Sequence, residues 1–220
     1  MSQQLELDTS PDANGVGASE SSAGDSFDAS NVIWRIARMM AGAVDESRKF
    51  EEGSSAESLS RGDVAELRRI SLRAPVTPAL WRILHHFGIH KAPYASSEEQ
   101  QDEYERKWAV LLMGMAHCAG SHNPEAVTGL HDPKIPFGQA MAEAGWSELR
   151  FVRLLEANPE QLGTQLRRVA QFLSSEQQRA DWEGAYWLLF GEGETAERTR
   201  LRMSRSYYGT LYREKNEEDD

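Results

Sequence analysis

The chain has 220 residues, of which 40% are hydrophobic, and it carries a formal net charge of −11. This length suits one compact domain or two small helical ones, and no apolar run is long enough to span a membrane. A single cysteine, Cys118, excludes an internal disulfide framework and fits a reducing cytoplasm.

The negative charge is concentrated at the two ends. Residues 1–31 hold six acids and no Lys or Arg, and residues 214–220 hold five acids and only Lys215. The ends therefore carry −10, which leaves about −1 for residues 32–213. A nearly neutral body can still carry a basic face, because local patches set the local potential. The acidic total does not exclude a polyanionic partner.

Composition and turn signals predict five parts of the chain. They are a disordered acidic N-terminal extension (1–31), an N-terminal helical half (32–118), a connecting loop (119–136), a C-terminal helical bundle (137–213) and an acidic tail (214–220). The extension also lacks the basic and apolar regions of a signal peptide.

The N-terminal half begins with two short predicted helices. Apolar spacing predicts the first from Val32 to Val44, and residues 51–60 are typical of a loop. A capping box of Asp63 with Glu66 is predicted to begin the second helix, which Pro75 ends.

Two further helices follow in this half. Thr77 and Pro78 are typical of a helix start, and this third helix is predicted to stop at Gly88. A longer helix is predicted from about Ser97. Its apolar stripe consists of Tyr104, Trp108, Leu111, Leu112 and Met115.

The C-terminal half is predicted to hold five helices. The first ends at Ala144, the second runs from Ser147 to Ala157, and the third begins at Asn158 and Pro159. The fourth runs from Trp182 to Phe190 and the fifth from Thr195 to Tyr212. Asp181 is the expected N-cap of the fourth, and Trp182 and Trp187 are expected in the core. Strand-like alternation is lacking, so the predicted fold class is all-α, a helical bundle of two small halves joined by a long loop.

Arginines on polar helix faces are the main functional signal. Arginine outnumbers lysine 19 to 5, and its planar guanidinium binds two phosphate oxygens at once. Residues 198–213 hold five arginines and no acid. In that stretch Arg198, Arg202 and Arg205 form one narrow stripe, with Leu201, Tyr208 and Leu211 expected toward the other side.

A less specific interpretation stands beside this one. Arginines on a helix usually belong to its solvent-exposed face, where acids three or four residues away compensate their charge. Glu156 follows Arg153 at such a spacing, and Glu194 precedes Arg198. No base-reading motif is present. Any nucleic-acid contact would therefore be made to the phosphate backbone, so binding would depend on salt concentration and not on the nucleotide sequence.

Chemistry is weakly signalled. His117, Cys118 and His122 cluster near His131 and Asp132 in the sequence, but a zinc site needs four well-placed ligands. Cys118 is expected to be a small buried hydrophobic residue. We predict no catalytic residue, no metal site and no cofactor.

Five motifs in fixed order carry a resemblance to a known family. They are Gly-Asp-Val-Ala-Glu-Leu-Arg-Arg at 62–69, Ser-Glu-Leu-Arg-Phe-Val-Arg-Leu-Leu at 147–155, Leu-Arg-Arg-Val at 166–169, Asp-Trp at 181–182 and Arg-Ser-Tyr-Tyr at 205–208. In order and rough spacing the set resembles the CasB family, the small subunit of the type I-E CRISPR Cascade effector complex.

The resemblance implies an all-helical, non-catalytic protein of cytoplasmic antiviral defence. It implies as partners the backbone and large Cascade subunits, a second copy of the chain, guide RNA and target DNA, with no membrane. Basic residues would help to hold the guide RNA–target DNA assembly and the displaced strand. Matching motif positions give the nucleic-acid-binding residues Arg68, Arg69, Arg150, Arg153, Arg167 and Arg168. Arg202 and Arg205, which precede the Tyr-Tyr match, are added to this set.

Two other classes of function stay open on the residues alone. One is a helical regulatory or adaptor protein that uses its basic face to bind an acidic protein partner. The other is a metal-dependent enzyme built on His117, His122 and His131.

Overall fold

The structure is a computed structural model that describes residues 27–44, 59–119 and 130–218. Those residues form nine helices and no strand, which confirms the all-α class. The helices are α1 Ala29–Val44, α2 Arg61–Arg68, α3 Pro78–His86, α4 Glu98–Cys118, α5 Phe137–Glu143, α6 Glu148–Leu155, α7 Pro159–Ser175, α8 Trp182–Phe190 and α9 Gly193–Glu218. None of these helices is both long and apolar enough to cross a membrane.

Four predicted helix starts are confirmed by side-chain caps. The capping oxygens belong to Thr77, Ser97, Asn158 and Asp181, and each accepts a hydrogen bond from a backbone amide of the first turn. Such a bond satisfies an amide that has no partner within the helix. The predicted sequence signals therefore fix where α3, α4, α7 and α8 begin.

The predicted start of α2 is wrong by one turn. Ser60 is the N-cap, and Asp63 is the third helical residue, whose carboxylate accepts a hydrogen bond from the Ser60 amide at 2.8 Å. Asp63 also pairs with Arg82 of α3. Burial alone would raise the pKa of Asp63, but these hydrogen bonds outweigh it and lower the pKa. The helix ends at Arg68, well before Pro75, in a connection that leads to α3.

Both ends of the helical body extend further than predicted. Helix α1 begins at Ala29, so residues 29–31 of the predicted disordered extension are helical, while residues 1–26 lie outside the described residues. Helix α9 continues past Tyr212 to Glu218 because the residues of the acidic tail include strong helix formers. Of the predicted loops at 51–60 and 119–136, residues 51–58 and 120–129 lie outside the described residues.

Helix α4 is the centre of the core. Its predicted stripe is buried, with Trp108 and Leu112 fully inaccessible to solvent. Trp182 of α8 is also buried, as predicted, and inserts against Gly114 of α4, where an added Cβ would meet its ring at 2.7 Å. Trp187 is half-buried and packs against the core. Cys118 is buried as predicted, and burial raises its pKa to about 12.

Buried residues of both predicted halves belong to one hydrophobic cluster. Helices α4 and α7, one from each half, pack against each other in it. Helices α5 and α9 approach at backbone distance, since a Cβ on Gly138 would lie 2.3 Å from the carbonyl oxygen of Met203. The division of the chain at residues 119–136 stays a prediction.

Candidate nucleic-acid interface

Arg68 and Arg167 tie helices together at the junction of α2, α4 and α7. The Nε atom of Arg68 donates to the Ala116 carbonyl at 2.7 Å. Arg167 donates from Nη2 to the Ile70 carbonyl at 2.8 Å and from Nε to the sulfur of Met113 at 2.8 Å. Both side chains are half-buried. These two candidates therefore have a structural role, whatever else they contact.

His117 lies in the field of the same two arginines. Burial, together with Arg68 and Arg167, lowers the pKa of His117. Its carbonyl oxygen accepts a hydrogen bond from the Ser174 hydroxyl of α7 at 2.9 Å. The imidazole is therefore neutral at pH 7 and adds no charge to the junction.

Arg69 and Arg168, the second members of the two doublets, are exposed. Neighbouring residues on a helix point about 100° apart, so Arg167 reaches α4 while Arg168 points outward. Arg168 and Arg153 line one groove between α6 and α7. The other lining residues are polar or acidic, namely Glu156, Glu160, Gln161, Thr164 and Gln165. Two arginines and two glutamates thus border one surface groove.

The local pairing expected of Arg153 with Glu156 does not form. Neither Arg153 nor Arg168 has an ion-pair partner within the described parts of the chain. The other expected pair, Arg198 with Glu194, does form. The groove arginines are therefore available to an external anion, whereas Arg198 already forms an ion pair with Glu194.

Helix α9 holds α6 in place so that its outer side stays exposed. The ring of Phe151 stacks on that of Tyr207 with 3.9 Å between centroids, and the Tyr207 hydroxyl donates to the Trp146 carbonyl. Arg200 donates from Nε to the Leu155 carbonyl at 2.9 Å. With its inner side held in this way, α6 presents Arg150 and Arg153 to solvent.

Arg150 lies over an aromatic ring rather than beside an acid. Its guanidinium carbon is 5.2 Å from the centroid of the Trp146 ring. Trp146 in turn packs on Phe172 of α7 with 5.0 Å between centroids. The guanidinium is thus held over a ring that itself packs on α7.

Five of the eight predicted arginines lie on α6, on α7 and at the C-cap of α2. Arg167 contacts the connection after α2, Arg168 points outward from α7, and Arg153 faces Arg168 across the groove. We call this set the basic band: Arg69, Arg150, Arg153, Arg167 and Arg168.

Arg202 and Arg205 lie elsewhere, on α9. Both are exposed, and no hydrogen bond or ion pair joins them to the band in the part of the chain that the structure describes. Arg202 lies close enough to Asp181 to lower the pKa of that carboxyl, but burial dominates and raises it to about 6. The buried face of α9 carries Met203 and Tyr207.

The predicted apolar side of α9 is therefore wrong in one respect. Leu201 is 55% exposed, although it was expected to face inward. Tyr208 and Leu211 are half-buried and pack against the core. The residue types of α9 allow either face to be taken as apolar, and packing against α5 selects the one with Met203.

One exposed cation near the band was missed. Arg73 follows Leu72, which packs beside Gly163 of α7, where an added Cβ would lie 3.2 Å from its Cδ1 atom. The sequence feature that could have indicated Arg73 is the lack of any acidic residue between Glu66 and Glu98. Arg73 therefore extends the positive surface at the α2 end.

The described residues contain no group of three or more His, Cys, Asp and Glu that could hold a metal ion, and His122 lies outside them. His131 is buried, and its Nδ1 atom accepts a hydrogen bond from the Trp182 amide at 3.2 Å. Its pKa is lowered by burial. The neutral His131 side chain thus helps to fix the start of α8.

Residues 63–208 match the sequence model of a family described as CRISPR-associated protein Cse2. No curated protein matches the sequence. The match begins at Asp63, inside α2, and ends at Tyr208 in α9, so it includes all eight predicted arginines.

Two solved structures share this fold. A chain in the crystal structure of E. coli Cascade bound to a PAM-containing double-stranded DNA target is 22% identical, with 70% of this chain and 90% of that one covered at a TM-score of 0.50. The crystal structure of M. ruber CasB is also 22% identical, with 73% and 91% covered at a TM-score of 0.53.

Proposed function

Because the chain belongs to the Cse2 (CasB) family, the small subunits of type I-E CRISPR Cascade, we propose that its basic band holds nucleic acid backbone inside that complex. The proposed partners are the guide RNA, the target DNA, the backbone and large subunits and a second copy of the chain. The proposed role is non-catalytic.

The observation that carries the proposal is the pair of arginines across the α6–α7 groove. Arg153 and Arg168 face a common depression, and neither has an acidic partner among the described residues. Gln161, Thr164 and Gln165 line the same groove and offer neutral hydrogen-bonding groups, and the carboxylates of Glu156 and Glu160 also line it. Guanidinium groups and neutral polar side chains are the residue types that contact phosphate and sugar.

The lack of a base-reading motif favours contacts that do not depend on sequence. Pairing between guide and target supplies the sequence information in such complexes, and formation of the R-loop is nearly balanced in free energy. Several phosphate contacts of modest strength can therefore decide how long the displaced strand stays apart from its complement. Arg202 and Arg205 would provide a separate contact from α9.

The test is charge reversal in the assembled complex. The double variant R153E/R168E is combined with the other subunits, a guide RNA and a matching DNA duplex, and dissociation of the DNA is followed at several salt concentrations. We expect roughly tenfold weaker DNA retention and a salt slope that is lower by about 2. The matched control is R198E, since Arg198 is already paired with Glu194.

Unchanged retention and an unchanged salt slope in the double variant would contradict the proposal. The adaptor alternative predicts a different result, namely that the isolated protein binds no single-stranded DNA and purifies without RNA. Circular dichroism of both variants confirms that the fold is kept.

A further inference from the structure

The outer face of helix α1 combines an exposed tryptophan with two arginines. Ile33 and Ile36, on the other side of the helix, are buried in the core, whereas Trp34 is 40% exposed. Arg35 and Arg38 are exposed beside the tryptophan, and positions 34 and 38 are neighbours along one stripe of a helix. The guanidinium carbon of Arg38 is 4.8 Å from the centroid of the Trp34 ring. The tryptophan is therefore left outside the core and lies next to a cation.

Arg35 extends this face to the end of α3. Its guanidinium carbon is 4.9 Å from the centroid of the ring of Phe87, the C-cap of α3. Phe87 in turn meets the ring of His86 at 88°, with 4.7 Å between centroids. Both rings are half-buried and thus partly open to solvent. We call this set the α1–α3 face: Trp34, Arg35, Arg38, His86 and Phe87.

Acidic residues are scarce in the segments that form this face. Helix α1 and residues 67–97 together contain seven Lys and Arg and no Asp or Glu. The carboxylate of Asp28, just before α1, accepts a hydrogen bond from a backbone amide, and Glu66 is half-buried. Neither Arg35 nor Arg38 has an ion-pair partner among the described residues. The face is therefore suited to an anionic partner.

Exposed rings beside unpaired arginines fit the chemistry of a single nucleic-acid strand. Unpaired bases stack on aromatic rings and on guanidinium planes, and the phosphates between them attract arginine. An acidic protein segment would satisfy the charges alone. A nucleotide with an unpaired base offers a flat ring and a phosphate in the same repeating unit, so it matches both components of the face.

We propose that the α1–α3 face is a base-stacking site for single-stranded DNA, in which a base stacks on Trp34 while Arg35 and Arg38 contact phosphates. This inference rests on the proposed function for the source of the strand, because the displaced strand of an R-loop is the one whose bases have lost their complement. Helix α1 lies before the residues that the family model matches, so the site depends on sequence outside that match.

Stacking would supply a selectivity that phosphate contacts lack. Phosphate contacts weaken as salt rises and are available on a duplex as well as on a single strand. A base that stacks on a protein ring has to be unpaired, and every base can do so because each has a flat face. The site would therefore oppose re-pairing of the displaced strand without reading its sequence.

The stacking contact is measured by fluorescence anisotropy of the full chain with two oligomers. One is oligo-dT of about 20 nucleotides, and the other is a deoxyribose-phosphate oligomer of the same length and charge without bases. Trp34→Ala should weaken binding of oligo-dT roughly tenfold and change binding of the abasic oligomer by less than about twofold. Trp34→Phe keeps a ring, so it should lose no more than about threefold for oligo-dT.

Two further variants separate stacking from charge and from exposure. Tyr94→Ala is the matched control, because Tyr94 is 51% exposed, but partial burial and the nearby Glu103 and Glu192 raise its pKa, so its surroundings repel phosphate. It should leave both affinities unchanged. The variant R35E/R38E should weaken binding of both oligomers, with a salt slope that is shallower by roughly 1.4. Circular dichroism confirms that each variant keeps the fold.

Four results would overturn the inference. They are unchanged affinity of Trp34→Ala for oligo-dT, an equal loss for the abasic oligomer, no binding of oligo-dT by the unaltered chain, and a Trp34→Ala defect confined to assembly with the other subunits. The last result would assign the face to a protein partner. A loss in Trp34→Ala without any effect of R153E/R168E would refute the groove alone, and the reverse pattern would refute this inference alone.

Discussion

Two regions of the molecule use their arginines in different ways. At the junction of α2, α4 and α7, Arg68 and Arg167 donate to backbone carbonyls and hold helices together. On the outer face of α6 and α7, Arg153 and Arg168 are exposed around a groove and have no acidic partner among the described residues. The comparison teaches that a run of arginines can combine a structural residue and a binding residue side by side.

The difference has a geometric cause. Successive positions on a helix diverge by about 100°, so two neighbouring arginines cannot share one environment. Arg167 faces the carbonyl of Ile70, which would otherwise lack a donor, and Arg168 faces solvent. Variants of the two should therefore separate stability from binding.

The largest effect is expected for Arg167→Ala. The variant removes the donor to the Ile70 carbonyl and should lower the free energy of unfolding by about 2 kcal/mol. The matched variant Arg168→Ala should change it by less than about 0.5 kcal/mol. Urea denaturation followed by circular dichroism measures both, and equal losses would remove the distinction between the two surfaces.

The next prediction concerns binding and compares the band with α9. Arg168→Glu should weaken binding to single-stranded DNA roughly tenfold, and Arg205→Glu only about twofold to threefold, with little change in stability for either. Fluorescence anisotropy at low salt gives both affinities. A larger loss for Arg205→Glu would move the interface to α9.

Arg68→Ala should cost less stability than Arg167→Ala because one hydrogen bond, to the Ala116 carbonyl, is lost. We expect a decrease of about 1 kcal/mol in the free energy of unfolding, with Arg69→Ala as the nearly neutral control. The same urea titration measures it. A loss in Arg69→Ala as large as that in Arg68→Ala would show that the exposed doublet member also supports the fold.

The smallest effect is expected from His117. Its folded-state pKa is lowered, so the unfolded chain binds more protons below the ordinary value of 6.5, and stability falls as the pH drops through that value. In His117→Gln this fall should be shallower by less than about 1 kcal/mol between about pH 7.5 and 5.5. His131 contributes in the same direction in both proteins, so only the difference between them is informative.

Much of the fold was predictable because its signals are local. The caps at Thr77, Ser97, Asn158 and Asp181 and the stripe of α4 depend on residues only a few positions apart. The predicted helix start of α2 was wrong where a contact with a residue distant in the sequence competes with the local capping signal. Asp63 could pair with Glu66 or with Ser60 by spacing alone, and Arg82 of α3 helps to stabilise the observed choice.

The candidate site was predictable in its residues but not in its arrangement. The motifs and the residues just before the last of them identified all eight arginines, and the structure places Arg153 and Arg168 at one groove and Arg202 and Arg205 on α9. Nothing in the sequence distinguishes Arg167 from Arg168, because the Ile70 carbonyl that engages Arg167 is 97 residues away in the chain. Arg73 was missed since no motif contains it.

The sequence by itself determined that this chain is helical, where most helices begin, and that acids gather at its ends and arginines in its motifs. These properties depend on short-range spacing and on composition. Only the tertiary structure decided which arginines hold helices together and which face solvent. That choice depends on hydrogen-bond acceptors brought close by packing, and packing joins residues that no local pattern relates.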